Sequence, residues 1–433
     1  MSELSRNMSL FHLVMYGVGL ILGAGIYVLI GEAAGLAGNA VWISFLLGSI
    51  VAVFAGLSYA ELAALFPKAA AEYVFVKNAF KSNFIAFIVG WLTSITSMIT
   101  AATVGLGFGG YLAGFVDIPI VIGAIVILGV LSIISFVGIR ESSWMNTIFA
   151  IITIAGLVLI IVLGFSYEVK EPVNYLQTTG ISGIVLAFVL IFFAFIGFED
   201  MANIAEEVKR PAKNLPRGIL LAVLITGVIY ILVSISVLRI MTWEELGQSS
   251  APLADVANRA LGSNGSLTLS AIALFATAST ILITLIAGAR MLYGMARGGS
   301  LPKVFGKVHS KTRTPWMAVI AIFVISAGFS LIGDIVIVAN IVVFAIVITF
   351  AMINLAVIIL RYTKPHEPRP FRVPINIGRF PVLPLFGLAA TLYMITQFDL
   401  QVILSGVGIV ALGAVVYFVY IKRLERIHFE NDK

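Results

Sequence analysis

The chain has 433 residues, of which 60% are apolar and 11% charged, with a mean hydropathy of +1.09. An ordinary soluble domain carries about 25% charged residues, so a soluble globular fold is excluded, and apolar runs this long exclude an outer-membrane barrel, whose strands alternate in short segments. The net charge is +6 and cysteine is absent, which removes disulfides, thiol chemistry and cysteine-ligated metals; His12, His309, His366 and His428 are too scattered to form a ligand cluster.

A helical crossing takes about 20 apolar residues. Apolar runs between charge clusters predict twelve spans, near 10–36, 41–66, 84–115, 118–138, 145–166, 181–206, 217–241, 267–297, 316–333, 335–361, 382–397 and 401–421. The polar amino-terminal residues run into span 1 without a small-residue cleavage site, so this segment is read as retained. Of the 27 Lys and Arg residues, 23 fall on one set of alternating connections, including Arg6, Lys68, Arg140, Lys209, Lys303, Arg361 and the tail beyond 421. Lys170, Arg239 and Arg259 fall on the other, and Arg290 lies within span 8. By the positive-inside rule this asymmetry places both termini in the cytoplasm, in a cell-membrane protein. The basic excess is thereby topological, and no nucleic-acid partner is expected.

Two spans are interrupted. Span 1 carries Gly17, Gly19, Gly23 and Gly25; the first two suit close helix packing, whereas Gly23-Ala24-Gly25 falls mid-span, where unwound backbone is tolerated only when buried in protein or lining a cavity. The amides that open the second half-helix attract a carboxylate, and the carbonyls that close the first attract an ammonium or a metal cation. Span 6 has Gly197 beside Glu199 and Asp200. A charge at the centre of a membrane helix costs at least about 2.5 kcal/mol on insertion scales, so both acids are functional candidates, the bland alternative being a wetted vestibule where each pairs with a base. Breaks in spans 1 and 6 imply two five-helix repeats, residues 1–166 and 181–361, inverted relative to each other, followed by two added helices at 382–421 and a cytoplasmic tail at 422–433.

Four motifs in order carry a resemblance: Gly19 to Gly31; Tyr59-Ala-Glu-Leu-Ala63 with Phe66-Pro67, followed by Ala69-Ala70-Ala71 where Ala-Gly is usual; Phe193 to Glu199 continuing through Ala205 to Pro211 and Leu215-Pro-Arg217; and Ala289 to Pro302, with Gly299 where aspartate is more typical. The chain resembles the amino acid-polyamine-organocation superfamily, which implies an all-α membrane protein with the leucine-transporter-like inverted repeat and an amino acid or amine permease. Position by position, the resemblance implies that the amides of Gly23, Ala24 and Gly25 bind a substrate carboxylate, that the carbonyls of Ile21, Phe193 and Ile196 hold its ammonium, and that the Phe193 ring is an aromatic gate.

The coupling ion is open. Some proton-coupled relatives place a lysine on span 5 where sodium sits in others; the matching residue here is Thr153, and span 5 contains no lysine. On span 8, Ala276, Ser279 and Thr280 share a face. One carbonyl and two hydroxyls there, with the Gly19 and Leu22 carbonyls, make an uncharged oxygen set suited to sodium. The alternative for the hydroxyls is bonding back to their own helix, and proton coupling through Glu199, or uncoupled exchange, stands beside sodium.

Other motifs read as structural. Gly105 to Gly110 matches the dinucleotide pattern without its strand or its acid, so it reads as helix packing. Asn264-Gly265-Ser266 matches the glycosylation pattern, which is uninformative alone. Arg290 is expected to snorkel or to pair with Glu206, and Glu61 to play a similar structural or gating role. No cofactor is expected. A polyamine exchanger would want acids in the side-chain pocket, and beyond Glu199 and Asp200 spans 3, 6, 8 and 10 have none mid-span, which favours a neutral amino acid. A membrane enzyme would need a nucleophile with its base, or metal ligands, in the core, and a channel would not need broken helices closed by an aromatic gate.

Overall fold

The structure is a computed structural model that describes residues 8–68, 71–137, 143–169, 172–297, 301–312 and 314–421. Arg6, Ala69, Ala70, Arg140, Lys170, Gly299, Arg313, His428 and the 422–433 tail, all used in the sequence reading, lie outside the described residues, as does the Glu206 side chain.

Span 1 is two helices, α1 (Leu10–Ile21) and α2 (Gly25–Ala37). Ser9 caps α1, its hydroxyl accepting from the His12 amide at 3.4 Å. A turn with Gly38 at φ 70° reverses the chain into α3 (Val41–Leu65), and α4 (Ala71–Phe80) follows. Next come α5 (Asn83–Ala113), α6 (Ile120–Val137) and α7 (Ser143–Ser166). Span 6 is α8 (Ile181–Ile191), a 3-10 turn at Phe192–Phe195 and the short α9 (Asp200–Asn203); α10 (Pro211–Leu238) continues from it. Two short helices, α11 (Trp243–Gly247) and α12 (Pro252–Leu261), precede α13 (Ser263–Arg297), α14 (Trp316–Ser330) and α15 (Ile335–Thr363). A two-stranded hairpin, β1 (Asn376–Ile377) with β2 (Phe380–Pro381), leads into α16 (Val382–Ile395) and α17 (Leu400–Val416).

Among the described residues nine stretches are long and apolar enough to cross a membrane, and α1, α14 and α16 are shorter apolar helices. The lipid-facing surface is visible on α6, where Ile122, Val126, Val130, Ile133 and Val137 form an exposed stripe at helical spacing. Water would penalise such a stripe by about 25 cal/mol for each Å², whereas lipid does not. The chain is a multi-pass membrane protein.

α5 is the central pillar, packed on α4, α6, α13, α14, α15 and α17. α10 packs on both α1 and α3, and α2 packs on α8. The sequence reading did not include α4, α11 or α12. Two of these had local signals: Thr242 and Glu245 form a reciprocal capping box at the start of α11, and Pro252 opens α12. α11 and α12 lie against α2, so closely that a Cβ on Gly31 would lie 2.5 Å from the Leu246 carbonyl and one on Gly35 3.2 Å from Gly247 Cα. Their free side carries the bidentate pair Arg259 to Glu245, at 2.7 Å, and this guanidinium holds the Glu245 carboxyl down at about 2.

Candidate functional site

The break in span 1 is Leu22-Gly23-Ala24. The last bond of α1 runs from the Leu22 amide to Val18 O at 2.8 Å, and the first amide of α2 to close a helical bond is Val28, onto Ala24 O at 3.1 Å. The amides of Gly25, Ile26 and Tyr27 therefore stand ahead of the ladder, on the positive end of a helix dipole. In span 6 the 3-10 turn closes with the Ile196 amide on Phe193 O at 3.2 Å, Ile196 is extended, and Gly197 takes φ 126°, a conformation that side-chain-bearing residues rarely adopt.

The two breaks touch. A Cβ on Gly25 would lie 2.6 Å from Ala194 Cα, and one on Gly197 would lie 3.1 Å from Leu20 Cβ. The glycines permit this approach of backbone to backbone, so Ile21, Gly23, Ala24, Gly25, Phe193 and Ile196, named from sequence as the substrate site, are brought into one region. Phe193 is buried, at 4% exposure. The Glu199 carboxylate is buried as well and accepts from the Gly197 amide at 2.9 Å, which ties it to its own break. Asp200 opens α9 beside it.

Sequence reading missed Tyr230. This fully buried residue of α10 donates its hydroxyl to Ile21 O at 2.5 Å and to Ala194 O at 2.7 Å, with its ring held by Phe45 and Phe195. One proton shared between two carbonyls joins the end of α1 to the break of span 6, and the Ile21 carbonyl keeps a second lone pair for an ammonium. A tyrosine in the otherwise apolar run 227–233 was the available signal.

A second feature lies between α1, α7 and α13. A cleft there has about 20 Å³ of room and is lined by Gly19, Gly23, Thr153, Ser279 and Thr280, with Tyr16 and apolar neighbours. Leu22 and Ala276, the other two oxygens named from sequence, lie outside its lining. The Ser279 and Thr280 hydroxyls both donate back to Ala276 O, at 2.8 and 2.9 Å, which leaves their oxygen lone pairs free to accept. Thr153 donates to Phe149 O, and its own carbonyl accepts from Tyr27 at 2.7 Å. The room matches a single water-sized occupant, and uncharged hard oxygens fit a small monovalent cation. Arg290 is exposed on α13 and does not line this cleft.

The sequence matches the model of one protein family, described as amino acid permease, across residues 8–420. The chain belongs to the amino acid permease family. This permease is a membrane transporter and not an enzyme. It is similar to a branched-chain amino acid permease of Bacillus subtilis, 29% identical over 448 residues that cover 98% of this chain and 95% of the relative. A methylthioribose transporter of the same organism is 29% identical over 443 residues, covering 97% and 94%. Cationic amino acid transporter 4 of Mus musculus is 29% identical over 394 residues, covering 85% of this chain and 61% of that protein.

Proposed function

We propose that this permease is a secondary transporter that moves neutral amino acids across the cytoplasmic membrane by alternating access, with twelve crossings and both termini in the cytoplasm. The observation that carries the reading is the contact of two broken helices, Gly25 against Ala194. Such a contact offers amides for a carboxylate and carbonyls for an ammonium within one buried region, which supports a reading in which two inverted repeats meet there. Recognition of the head group by backbone leaves side-chain selectivity to the surrounding spans. The relatives are named for branched-chain amino acids, methylthioribose and cationic amino acids, so the choice of a neutral side chain rests on this chain's own spans 3, 8 and 10, which carry no mid-span acid.

In this reading α1, α2, α3, α8, α9 and α10 rock against a scaffold that includes α5, α7, α13 and α15. Sodium is the favoured coupling ion, held by Ser279 and Thr280 with the Gly19 carbonyl, where its charge would pull α1 onto α13. The competing reading is proton coupling, favoured by Glu72 and Glu199, which are buried and form no ion pair with a base among the described residues. Uptake of labelled alanine, leucine, serine and lysine into proteoliposomes, with sodium and proton gradients imposed separately, tests all of this. Saturable uptake of the neutral amino acids driven by inward sodium is expected; uptake that follows only a proton gradient would replace sodium with the acids, and uptake of lysine alone would overturn the neutral assignment.

A further inference from the structure

The inner end of α3 holds an ionic cluster that the substrate and ion sites do not use. Glu61 is buried at 1% exposure, and its carboxylate accepts four hydrogen bonds. Arg361, in the last turn of α15 and 3% exposed, grips it bidentately, Nε to Oε1 at 2.7 Å and Nη2 to Oε2 at 2.6 Å. Arg369, in the connection after α15, adds Nε to Oε1 at 3.1 Å, and the Val373 amide adds a bond to Oε2 at 2.8 Å. The second guanidinium is not surplus charge, because Arg369 also donates to Leu360 O at 2.8 Å and Lys364 O at 3.2 Å, closing the negative end of the α15 dipole. One α3 turn earlier, Ser58 donates to Asn354 Oδ1 at 2.6 Å, so the polar contacts between α3 and α15 continue inward from there.

A buried ion pair adds little net stability over apolar packing, yet losing one partner leaves a charge stranded, so such a pair enforces one geometry. This one joins two elements that the alternating-access reading assigns to different bodies, α3 to the moving bundle and α15 to the scaffold. It is also linked to the substrate region: Tyr59, two residues before Glu61, sets its ring edge-on to Phe198 in the span 6 break and to Phe350 of α15, each at 5.6 Å between centroids. Toward the opposite side, Val28 of α2 is buried against Gly107 of α5, and α11 is seated on α2.

We propose that Glu61 is a latch: its bonds to Arg361, Arg369 and Val373 hold the bundle to the scaffold at the basic face and keep that face shut, and they must release for it to open. Glu61 is a positioning residue, and the inference rests on the alternating-access reading.

The chain has no cysteine, so a single Val28→Cys reports opening at the α12 face without interference. In right-side-out vesicles, labelling of that thiol by a membrane-impermeant maleimide is measured with and without the transported amino acid, in the Glu61 background and in Glu61→Gln. Loss of the latch favours the state open at the basic face, so it is expected to slow labelling by about fivefold or more, the lower range of coupling between linked sites. Labelling that responds to substrate but is unchanged by Glu61→Gln overturns the latch alone, whereas labelling that ignores substrate in the Glu61 background overturns the alternating-access reading. Arg369→Met, which leaves the Glu61 to Arg361 pair standing, is expected to act in the same direction more weakly. If Glu61→Gln does not fold, Arg369→Met carries the test with the same two outcomes.

Discussion

Replacing Gly25 tests whether the contact of the two breaks is the site. A Cβ at this position would lie 2.6 Å from Ala194 Cα and 2.8 Å from Ala194 Cβ, while carbon atoms rest at about 3.5–4.0 Å. The breaks of spans 1 and 6 must therefore part by about 1 Å to admit even alanine, and overpacking of this kind costs about 1–3 kcal/mol. Both partners are backbone-bearing segments, so no flexible side chain can absorb the change. Gly25→Ala is expected to lower the melting temperature by a few degrees and to weaken binding; Gly25→Val, with two further methyl groups over the amides, is expected to abolish uptake while the protein still folds. The assay is thermal denaturation of purified protein with and without substrate, read beside uptake. A ligand at about 100 times its Kd stabilises a protein by about 2.7 kcal/mol, so the disappearance of that shift is measurable. Gly90 supplies the control: it lies inside α5 with nothing within 4 Å of its would-be Cβ, and Gly90→Ala is expected to be neutral or to stabilise by up to about 1 kcal/mol. If Gly25→Val keeps its substrate-induced stabilisation, the head group binds elsewhere and the argument from the breaks is wrong.

Phe193→Ala is expected to raise the substrate Kd and to speed leak of preloaded substrate, because it opens a buried position beside the break; unchanged binding and leak would reduce Phe193 to ordinary packing. Thr153→Lys is expected to make uptake insensitive to sodium, since two unit cations about 4 Å apart repel by roughly 4 kcal/mol at an effective dielectric of 20; the readout is uptake against sodium concentration at constant ionic strength, and a native protein without sodium dependence removes the basis for the idea. At the start of α4, burial pushes the Glu72 carboxyl up from its ordinary 4.5 to about 7, aided by the nearby Asp200 and opposed by hydrogen bonds from Asn203 and Tyr59. An acid whose pKa is raised on folding favours its neutral form, so the folded protein loses stability as pH climbs from about 4.5 to about 7. Glu72→Gln removes that loss and is expected to stabilise the protein at pH 8, by an amount of order 3 kcal/mol, and to leave it nearly unchanged at pH 4; equal melting temperatures of the two proteins at pH 8 would contradict it.

The sequence by itself determined what the bilayer forces on a chain. Lipid offers no hydrogen bonds, so each crossing must be a long apolar helix, and an interruption must be buried in protein; runs such as 84–115 and 335–361 and the glycines at 23, 25 and 197 are therefore readable one residue after another. Local chemistry also marks α11 and α12, through a capping box at the start of one and an opening proline in the other. What only the tertiary structure decided is which distant groups meet. Glu61 was legible as an acid with a structural or gating role but not as the partner of Arg361, Arg369 and Val373, residues some 300 positions away. Tyr230 could not be placed on the Ile21 and Ala194 carbonyls from its own neighbourhood, and Leu22 and Ala276 could not be separated from Gly19, Ser279 and Thr280, because helical periodicity gives the face of a helix and not what faces it. Packing in three dimensions sets those encounters, through close approaches as specific as Gly25 on Ala194.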